Sequence, residues 1–318
     1  LKVDAACDSG VGPNYTALTY RDKTTLHTSI STCKTITGRI GGFGIYTKIY
    51  QKNSLASKIV RYNKNCPRIG LKSTKGYTAI TLELNKNDTI DIINAHLPFT
   101  KDISDYNNFV TNMENWLVKN KFNSKNRIIF GDLNSRSLLT SHCLIKKLPL
   151  CSSKAFDDKY CALSTKLEQM DFYTSTKSLK PKIISTCSSL KNCKINKKTK
   201  INKMSLREIL GLLIGNDFLS SPPNKCKLTP FNTYNEAPIK FLPTYKRDKK
   251  TGLFSLHKDN EGRLPGYADR IFYKTTKSVL IPKVYSLIKF KGNDHLPIKS
   301  LFDIKLTTRG RTKKRTKF

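Results

Sequence analysis

The alternation of apolar and polar positions predicts strands and helices that follow one another along most of the chain. Period-two patterns predict strands over 43–50, 77–84 and 89–95. Over 102–120 the apolar residues recur every three or four positions, which predicts a helix with one core-facing stripe. The residues of this stripe are Tyr106, Phe109, Val110, Met113, Trp116 and Leu117.

The second half of the chain continues this alternation after an interruption. An apolar run over 127–130 predicts a buried strand, and Ser205 with Glu208 forms a capping box that begins a helix. A loop over 241–246 and strands near 266–272 and 284–290 follow. Residues 137–204 lack this pattern, which predicts an insertion that is partly disordered near its Lys-rich end at 191–203. Polar motifs follow several strands, so we predict a mixed α/β layered domain with one active face.

The turn after the strand at 127–130 carries the first candidate chemistry. Gly131 is followed by Asp132 and Asn134, which would share one face of an extended backbone. Asp132 could orient or deprotonate a water while Asn134 donates to a developing oxyanion, an arrangement suited to hydrolysis. The alternative is a strand that ends in an Asx turn, because Gly, Asp and Asn favour turns.

Charge and cysteine content limit the classes of partner. The net charge is +35, from 58 Lys and Arg against 23 Asp and Glu, and it implies a polyanionic partner such as nucleic acid, an anionic membrane or a phosphorylated substrate. No apolar run approaches the ~20 residues of a transmembrane helix. The nine Cys form no C-x-x-C pair, so we expect reduced thiols rather than zinc or a paired disulfide framework.

Five motifs at strand ends and loops identify a family when they are taken together. In chain order they are His96-Leu-Pro, Gly131-Asp-Leu-Asn-Ser-Arg, Phe241-Leu-Pro-Thr-Tyr-Lys, Pro265-Gly-Tyr-Ala-Asp-Arg-Ile and Asn293-Asp-His-Leu-Pro. This set resembles the catalytic domain of the inositol polyphosphate 5-phosphatases, within the endonuclease/exonuclease/phosphatase superfamily. The resemblance covers about 40–305 apart from the insertion. It implies a four-layer α/β sandwich with mixed central sheets flanked by helices.

The resemblance also implies roles for the residues in the motifs. Asp132 would orient the attacking water, and Asn134 would hold the scissile phosphate. His295 would contact the phosphoryl group, with Asp269 fixing its ring, and His96 would be the second histidine of the site. A carboxylate bonded to one imidazole nitrogen favours the charged ring, which stabilises a dianionic transition state. The implied activity is removal of the 5-phosphate from a phosphoinositide or a soluble inositol polyphosphate by direct attack of water.

The resemblance supplies the metal and substrate contacts as well. Asp294 would be a ligand of Mg²⁺, which prefers hard carboxylate oxygens. Tyr245, Lys246 and Arg263 would bind a neighbouring 4-phosphate, as a phenol beside cationic groups can. Three further residues complete the expected substrate-binding set, namely Lys75, Arg136 and Arg270.

The sequence also departs from the family pattern. The family begins with a strand that leads to a metal-binding Glu, whereas the first Glu in this chain is Glu83. We therefore expect that segment to be missing or degenerate, with Asp8 as a candidate substitute ligand. Glu261 stands where the family carries a Lys, which weakens the expectation of 4-phosphate selectivity. We predict one catalytic domain over 1–308 that includes the insertion at 137–204, followed by a basic tail at 309–318.

Two other functions compete with the phosphatase. A nuclease of the same superfamily would suit the net charge of +35, although the set formed by Tyr245, Lys246 and Arg263 argues against it. A catalytically weak module that binds anionic lipid is the other, because a metal ligand is in question. We expect a cytoplasmic protein that is peripheral on anionic membranes through its basic tail, while a secreted or nuclear location stays open.

Overall fold

The computed structural model contains two helices and sixteen strands among the residues that it describes. These residues are 15–17, 19–21, 26–28, 30–34, 44–52, 58–62, 75–84, 88–100, 103–135, 185–186, 194–195, 203–215, 217, 219, 231–250, 252, 254, 265–276, 279–288 and 292–306. The helices are α1 (Ile103–Lys119) and α2 (Leu206–Gly215). The strands are β1 (Tyr15–Ala17), β2 (Thr19–Arg21), β3 (Leu26–Thr28), β4 (Ile30–Lys34), β5 (Gly44–Lys48), β6 (Tyr50–Lys52), β7 (Lys58–Tyr62), β8 (Gly76–Glu83), β9 (Thr89–His96), β10 (Asn126–Asp132), β11 (Ser185–Thr186), β12 (Lys194–Ile195), β13 (Asn235–Glu236), β14 (Asp269–Lys274), β15 (Leu280–Leu287) and β16 (Ile298–Ile304).

A mixed six-stranded sheet forms the centre of the fold, with strand order β13-β14-β10-β9-β8-β7. Strands β9 and β10 run parallel, whereas β8 is antiparallel to β9 and β14 is antiparallel to β10. Helix α1 supplies the crossover that a parallel pair requires. The carboxyl ends of β9 and β10 and the amino end of β14 therefore meet at one edge of the sheet.

Both faces of the sheet are covered, because successive side chains of β8 point to opposite faces and the residues from Gly76 to Leu82 are all buried. On one face, Ala79 and Ile93 pack with the buried stripe of α1, in which Met113 and Leu117 are fully buried. On the other face, a separate cluster joins the sheet to the antiparallel pair β15–β16. Its buried members are Ile80, Leu82, Ile90 and Leu280. Helix α2 packs in a third cluster that also includes residues of β15 and β16.

The predicted α/β class is confirmed, and most predicted elements lie within a few residues of the observed ones. The predicted helix at 102–120 is α1, and the stripe is buried except for the half-buried Phe109 and Trp116. The capping box at the start of α2 also forms. The Ser205 N–H donates to a Glu208 carboxylate oxygen at 2.9 Å, and the Glu208 N–H donates to Ser205 Oγ at 3.3 Å.

Some elements differ from the prediction. Strand β15 begins at Leu280 rather than near 284, because an irregularity between Pro282 and Val284 lets the strand continue past a proline. Part of the stretch expected to be disordered near 191–203 forms β12, which pairs with β11. Most of the predicted insertion at 137–204 and the whole tail at 309–318 lie outside the described residues.

No helix in the described ranges combines the length and apolar character needed to cross a bilayer.

Candidate active site

The candidate site lies where the carboxyl ends of β9 and β10 meet the amino end of β14. His96 ends β9, Asp132 ends β10, and Asp269 begins β14 directly opposite Asp132 in the sheet register. Gly131 lets β10 lie close to the backbone of β9. It has a φ of +130°, and a Cβ there would stand 2.1 Å from the Ala95 carbonyl oxygen. The sheet topology thus brings together side chains that are far apart in sequence.

Two histidines flank the Asp132 carboxylate. The His96 Nε2 lies 3.1 Å from Asp132 Oδ2, and the His295 Nε2 lies 3.9 Å from the same oxygen. The His295 Nδ1 lies 2.8 Å from Asp269 Oδ2. Lys75 Nζ is within hydrogen-bonding distance of His96 Nε2. The structure therefore brings five of the predicted site residues into one connected group.

This arrangement changes the pKa values of both central groups. Burial disfavours charge on His295, yet the hydrogen bond to Asp269 and the charges of Asp269, Asp132 and Asp294 raise its pKa above the ordinary value. Burial also works against ionisation of Asp132, but its contact with His96 and the nearby positive charges lower its pKa. The arrangement favours a charged imidazole beside an ionised carboxylate.

Asp269→Asn should lower the pKa of His295, because it removes the largest favourable contact of the charged ring. The raised pKa means that the stabilising pair is fully present below the ordinary pKa of ~6.5 and is lost as pH rises through the folded-state value. An NMR titration of the His295 ring in the presence of EDTA would measure this shift. The matched variant Asp303→Asn changes an exposed carboxylate on β16 and should leave the titration unchanged. An unaltered His295 midpoint in Asp269→Asn would contradict the pairing.

Asn134 does not share an extended face with Asp132, so that expectation was wrong. Its φ is +52°, and its N–H donates to Asp132 Oδ1 at 2.9 Å, which makes the segment an Asx turn. Its Nδ2 donates to the Leu97 carbonyl oxygen at 2.8 Å. The turn, rather than strand pleating, sets the relative positions of the two side chains. The predicted contact between Asn134 and a scissile phosphate stays a prediction.

The loop that contains Tyr245 and Lys246 packs between the motif that contains Gly266 and the motif that contains His295. The Tyr245 N–H donates to the Gly266 carbonyl oxygen at 3.1 Å, and its ring centroid lies 4.5 Å from that of His295. Lys246 follows and is half-buried. This packing places Tyr245, one of the predicted 4-phosphate residues, beside His295.

Thr244 connects the same loop by hydrogen bonds to the motifs that contain Asp269 and His295. Its Oγ1 accepts a hydrogen bond from the Asp269 N–H at 3.2 Å, and its carbonyl oxygen accepts one from the Leu296 N–H at 2.9 Å. Thr244 is fully buried. The order of motifs along the chain did not indicate this bridging position, although Thr244 lies within one of them.

Arg270 is the clearest correction among the predicted substrate-binding residues. Its side chain is fully buried, and its guanidinium pairs with Asp217 at 2.6 Å and with Glu236 through Nε at 2.6 Å. The buried Asp217 carboxylate and the half-buried Glu236 carboxylate therefore engage it inside the protein, where a substrate phosphate has no access. Arg270 is a structural residue in this protein.

Asp217 is a residue that the sequence did not point to. It is 1% exposed, its Oδ2 accepts a hydrogen bond from the Ser135 hydroxyl at 2.8 Å, and its carboxylate pairs with Arg270. It therefore links the turn after Asp132 to the residue next to Asp269. A single Asp after an apolar helix carries no local signal of this role, because its partners lie 82 and 53 positions away.

Three predicted site residues, Asp8, Arg136 and Arg263, lie outside the described residues, together with Glu261. The predicted metal ligand Asp294 is half-buried next to His295, and its backbone oxygen accepts the Arg247 N–H at 2.8 Å. No described side chain pairs with its carboxylate. Its position leaves a hard oxygen ligand available at the site.

Another group at the site also has the geometry of a metal site. Ligand atoms of Asp132, Asp269 and His295 all lie within 4.8 Å of one another. However, metal ligation requires a neutral imidazole, and the raised pKa of His295 favours the charged ring. The carboxylates of the site, including Asp294, fit a hard divalent cation, whereas the His295 ring does not.

Three comparisons with known proteins show which families and folds this chain is similar to. A family model described as "Endonuclease/Exonuclease/phosphatase family 2" matches 191–301. Inositol-1,4,5-trisphosphate 5-phosphatase 1 of Schizosaccharomyces pombe is 33% identical over 92 residues, which are 29% of this chain and 8% of that protein. The type II inositol 1,4,5-trisphosphate 5-phosphatase of Mus musculus is 37% identical over 76 residues, or 24% of this chain and 7% of that protein. These alignments span less than a tenth of the curated relatives.

The structural comparison concerns the fold. The chain resembles the inositol polyphosphate 5-phosphatase domain of spSynaptojanin, which was solved with inositol (1,4)-bisphosphate and a calcium ion. The TM-score is 0.50 at 18% identity, with 95% of this chain and 67% of that chain covered.

The fold is that of the endonuclease/exonuclease/phosphatase class, and the family model matches about a third of the chain. Within that class, the predicted resemblance to the inositol polyphosphate 5-phosphatases is confirmed. The matched stretch at 191–301 includes Tyr245, Asp269 and His295, whereas His96 and Asp132 precede it. The tertiary structure places Asp132 against the matched part of the chain, where it lies opposite Asp269 and 3.9 Å from His295 Nε2, and His96 contacts Asp132 in turn.

Proposed function

We propose that this chain removes the 5-phosphate from a phosphoinositide or a soluble inositol polyphosphate by direct attack of water. The observation that carries the proposal is the His295 ring, which lies between the Asp269 and Asp132 carboxylates and packs against Tyr245. A phosphoryl transition state needs concentrated positive charge and a positioned nucleophile, and this group can supply both.

Each residue of the group has a distinct part in the proposed reaction. The His295 ring, held by Asp269, donates to a phosphoryl oxygen and stabilises its negative charge. Asp132 orients the attacking water, since its lowered pKa makes it a weak proton acceptor. The water oxygen bonds to phosphorus as the bond to the inositol oxygen breaks. The water loses one proton to solvent, and the inositol oxygen takes up one proton from solvent, so the protons balance. Lys75, next to His96, adds positive charge on the other side of Asp132.

We further propose that the reaction requires Mg²⁺. The Asp294 carboxylate would hold the ion, with Asp8 as the candidate second ligand. Mg²⁺ commonly uses one or two carboxylates and completes its shell with waters and a substrate phosphate. The ion would supply Lewis-acid stabilisation of the phosphate charge.

The test of this proposal is a turnover assay that compares three substrates with and without Mg²⁺. They are a phosphoinositide in vesicles, a soluble inositol polyphosphate and duplex DNA. Release of inorganic phosphate from either inositol substrate, abolished by EDTA and restored by Mg²⁺, is the expected result. Cleavage of DNA alone would establish the nuclease alternative, and vesicle binding without turnover would establish the lipid-binding module.

Lys246→Ala should weaken turnover of substrates that carry a 4-phosphate far more than turnover of substrates that lack it. A lost charged contact contributes about 1.5–3 kcal/mol, so kcat/KM should fall roughly 10- to 100-fold on the first type alone. The same selectivity is expected for Arg263→Ala, whereas Glu261→Lys should strengthen the discrimination. Lys249→Ala is the matched control, because Lys249 is an exposed lysine on the same loop. An equal loss on both substrate types would show that Lys246 acts only through the overall electrostatic potential of the protein and does not contact the 4-phosphate.

We also propose a cytoplasmic protein that associates peripherally with anionic membranes. The support is the net charge of +35 and the six basic residues of 309–318, since each Lys or Arg near such a surface contributes about 1 kcal/mol. The vesicle arm of the assay tests this proposal when it is repeated on a chain truncated after residue 308. Unchanged vesicle activity at low salt would refute the membrane role of the tail.

A further inference from the structure

A cleft of about 640 Å³ lies at the edge of the central sheet opposite the candidate active site. Its lining includes Thr89 and Asn126, the first residues of β9 and β10. His96 and Asp132 end the same two strands at the other edge. Eight residues of β9 separate the two edges, which corresponds to roughly 23 Å at ~3.3 Å per residue. The cleft is thus a separate place on the molecule.

Four cationic side chains converge on this cleft: those of Arg61, Lys121, Lys125 and Lys305. Among the described lining residues the sole carboxylate is Asp88, which is buried. The three lysines are exposed, and no described carboxylate pairs with their side chains. The cleft therefore holds an excess of positive charge that carboxylates of the described chain do not neutralise.

The positions of two of the donors are set by the surrounding structure. Arg61 donates through Nη1 to the Lys121 carbonyl oxygen, and its guanidinium lies 5.9 Å from the centroid of the Phe122 ring. These contacts hold one cation at the rim, which distinguishes it from a freely moving surface side chain.

Asn126 is the second fixed donor, and it is 6% exposed. Its Oδ1 accepts hydrogen bonds from Thr275 Oγ1 and from the Thr276 N–H, both at 3.2 Å. These bonds fix the orientation of the amide, so that Nδ2 is left as a donor without an acceptor among the described residues. An oriented amide donor that lines a cleft with excess positive charge is suited to an anion.

We propose that this cleft is a second binding site, for a small molecule that bears several phosphate groups. Its volume matches one small ligand, since pockets for such molecules measure about 300–1,000 Å³. Several dispersed cations match a ligand with more than one phosphate better than a single phosphate ion. The ligand is either free in solution or the headgroup of a lipid. The proposal does not depend on the reaction assigned to the candidate active site.

Lysine labelling would test the site directly on the full chain. The probe is inorganic tripolyphosphate in 150 mM NaCl with EDTA, and acetylation of each lysine is measured by mass spectrometry. Labelling of Lys121, Lys125 and Lys305 should fall about fivefold or more, because a bound polyanion engages their amines. Labelling of Lys240 and Lys299, which are exposed elsewhere, should change less than twofold. Asp132→Asn should show the same protection, which separates this result from that of the phosphatase assay.

Two variants sharpen the result. Asn126→Asp keeps the Oδ1 acceptor but replaces the Nδ2 donor with a carboxylate oxygen, so it should abolish the protection. If that variant does not fold, Lys121→Gln with Lys125→Gln should weaken tripolyphosphate binding roughly tenfold, against less than twofold for Lys240→Gln with Lys299→Gln.

The remaining outcomes are also decisive. Equal protection of every lysine, or no protection at all, would overturn the proposal, and so would protection by duplex nucleic acid without protection by tripolyphosphate. Inositol hexakisphosphate and phosphoinositide vesicles then identify the source. Protection by the first alone indicates a soluble ligand, and protection by the vesicles indicates a lipid headgroup.

Discussion

Asp132→Asn is expected to lower turnover by about 10³-fold or more while the protein stays folded. The replacement keeps an Oδ1 that can accept the Asn134 N–H, so the Asx turn can persist. What it removes is the negative charge between His96 and His295. Because that charge is proposed to orient the attacking water, kcat should fall and KM should change little. Initial rates on a soluble inositol polyphosphate with Mg²⁺ measure the effect.

Asp303→Asn is the matched control for this experiment. It makes the same chemical change on an exposed carboxylate of β16, where Asp303 pairs with the exposed Lys283. Its turnover should equal that of the unmodified chain. Near-normal turnover by Asp132→Asn would remove Asp132 from the reaction, and a rise in KM alone would assign it to binding. His295→Ala should cause a loss of similar size, since both residues are proposed to act in the transition state.

Arg270→Met should reduce the free energy of unfolding by about 3–5 kcal/mol, because it leaves two carboxylates without their buried partner. Asp217 is 1% exposed, and Glu236 also accepts the Tyr285 hydroxyl at 2.9 Å. Methionine fills a similar volume, so the loss reports charge rather than a cavity. Equilibrium denaturation in urea at neutral pH measures it.

The contrast with a surface pair makes this result diagnostic. Lys283→Met breaks the exposed pair with Asp303 and should cost less than about 1 kcal/mol. A loss below 1 kcal/mol for Arg270→Met would contradict the structural role of Arg270. If the variant does not fold, the conservative Arg270→Lys still tests the role. It keeps the charge but not the forked geometry, and it should retain part of the stability.

The buried network around Arg270 also bears on the active site. Asp217 holds the Ser135 hydroxyl within the turn that follows Asp132, and Arg270 follows Asp269 in β14. The network therefore connects the turn after Asp132 to strand β14, and both of these segments carry side chains of the candidate active site. Local motifs could predict Asp132 and Asp269 because each lies in a short characteristic pattern. They could not predict Asp217, since nothing near it in sequence marks its contact with either segment.

The sequence by itself determined the class of the fold, and it singled out four residues that the structure brings together at the candidate active site. Period-two and helical patterns located α1, β8 and β9, because burial on one face forces these periodicities on the chain. The strand-end motifs identified His96, Asp132, Asp269 and His295 for a similar reason. Catalytic side chains at the end of a strand need particular neighbours for the turn that follows, and those neighbours are local.

Only the tertiary structure decided which polar side chains face the site and which are buried. Asp269 and Arg270 are adjacent in β14, but alternation along a strand sends their side chains to opposite faces. Arg270 meets Glu236 and Asp217 from 34 and 53 positions away, so its burial depends on long-range packing. The basic cleft at the far edge of the sheet likewise depends on contacts between distant segments. A local pattern cannot encode such contacts, because they form only when the sheet assembles.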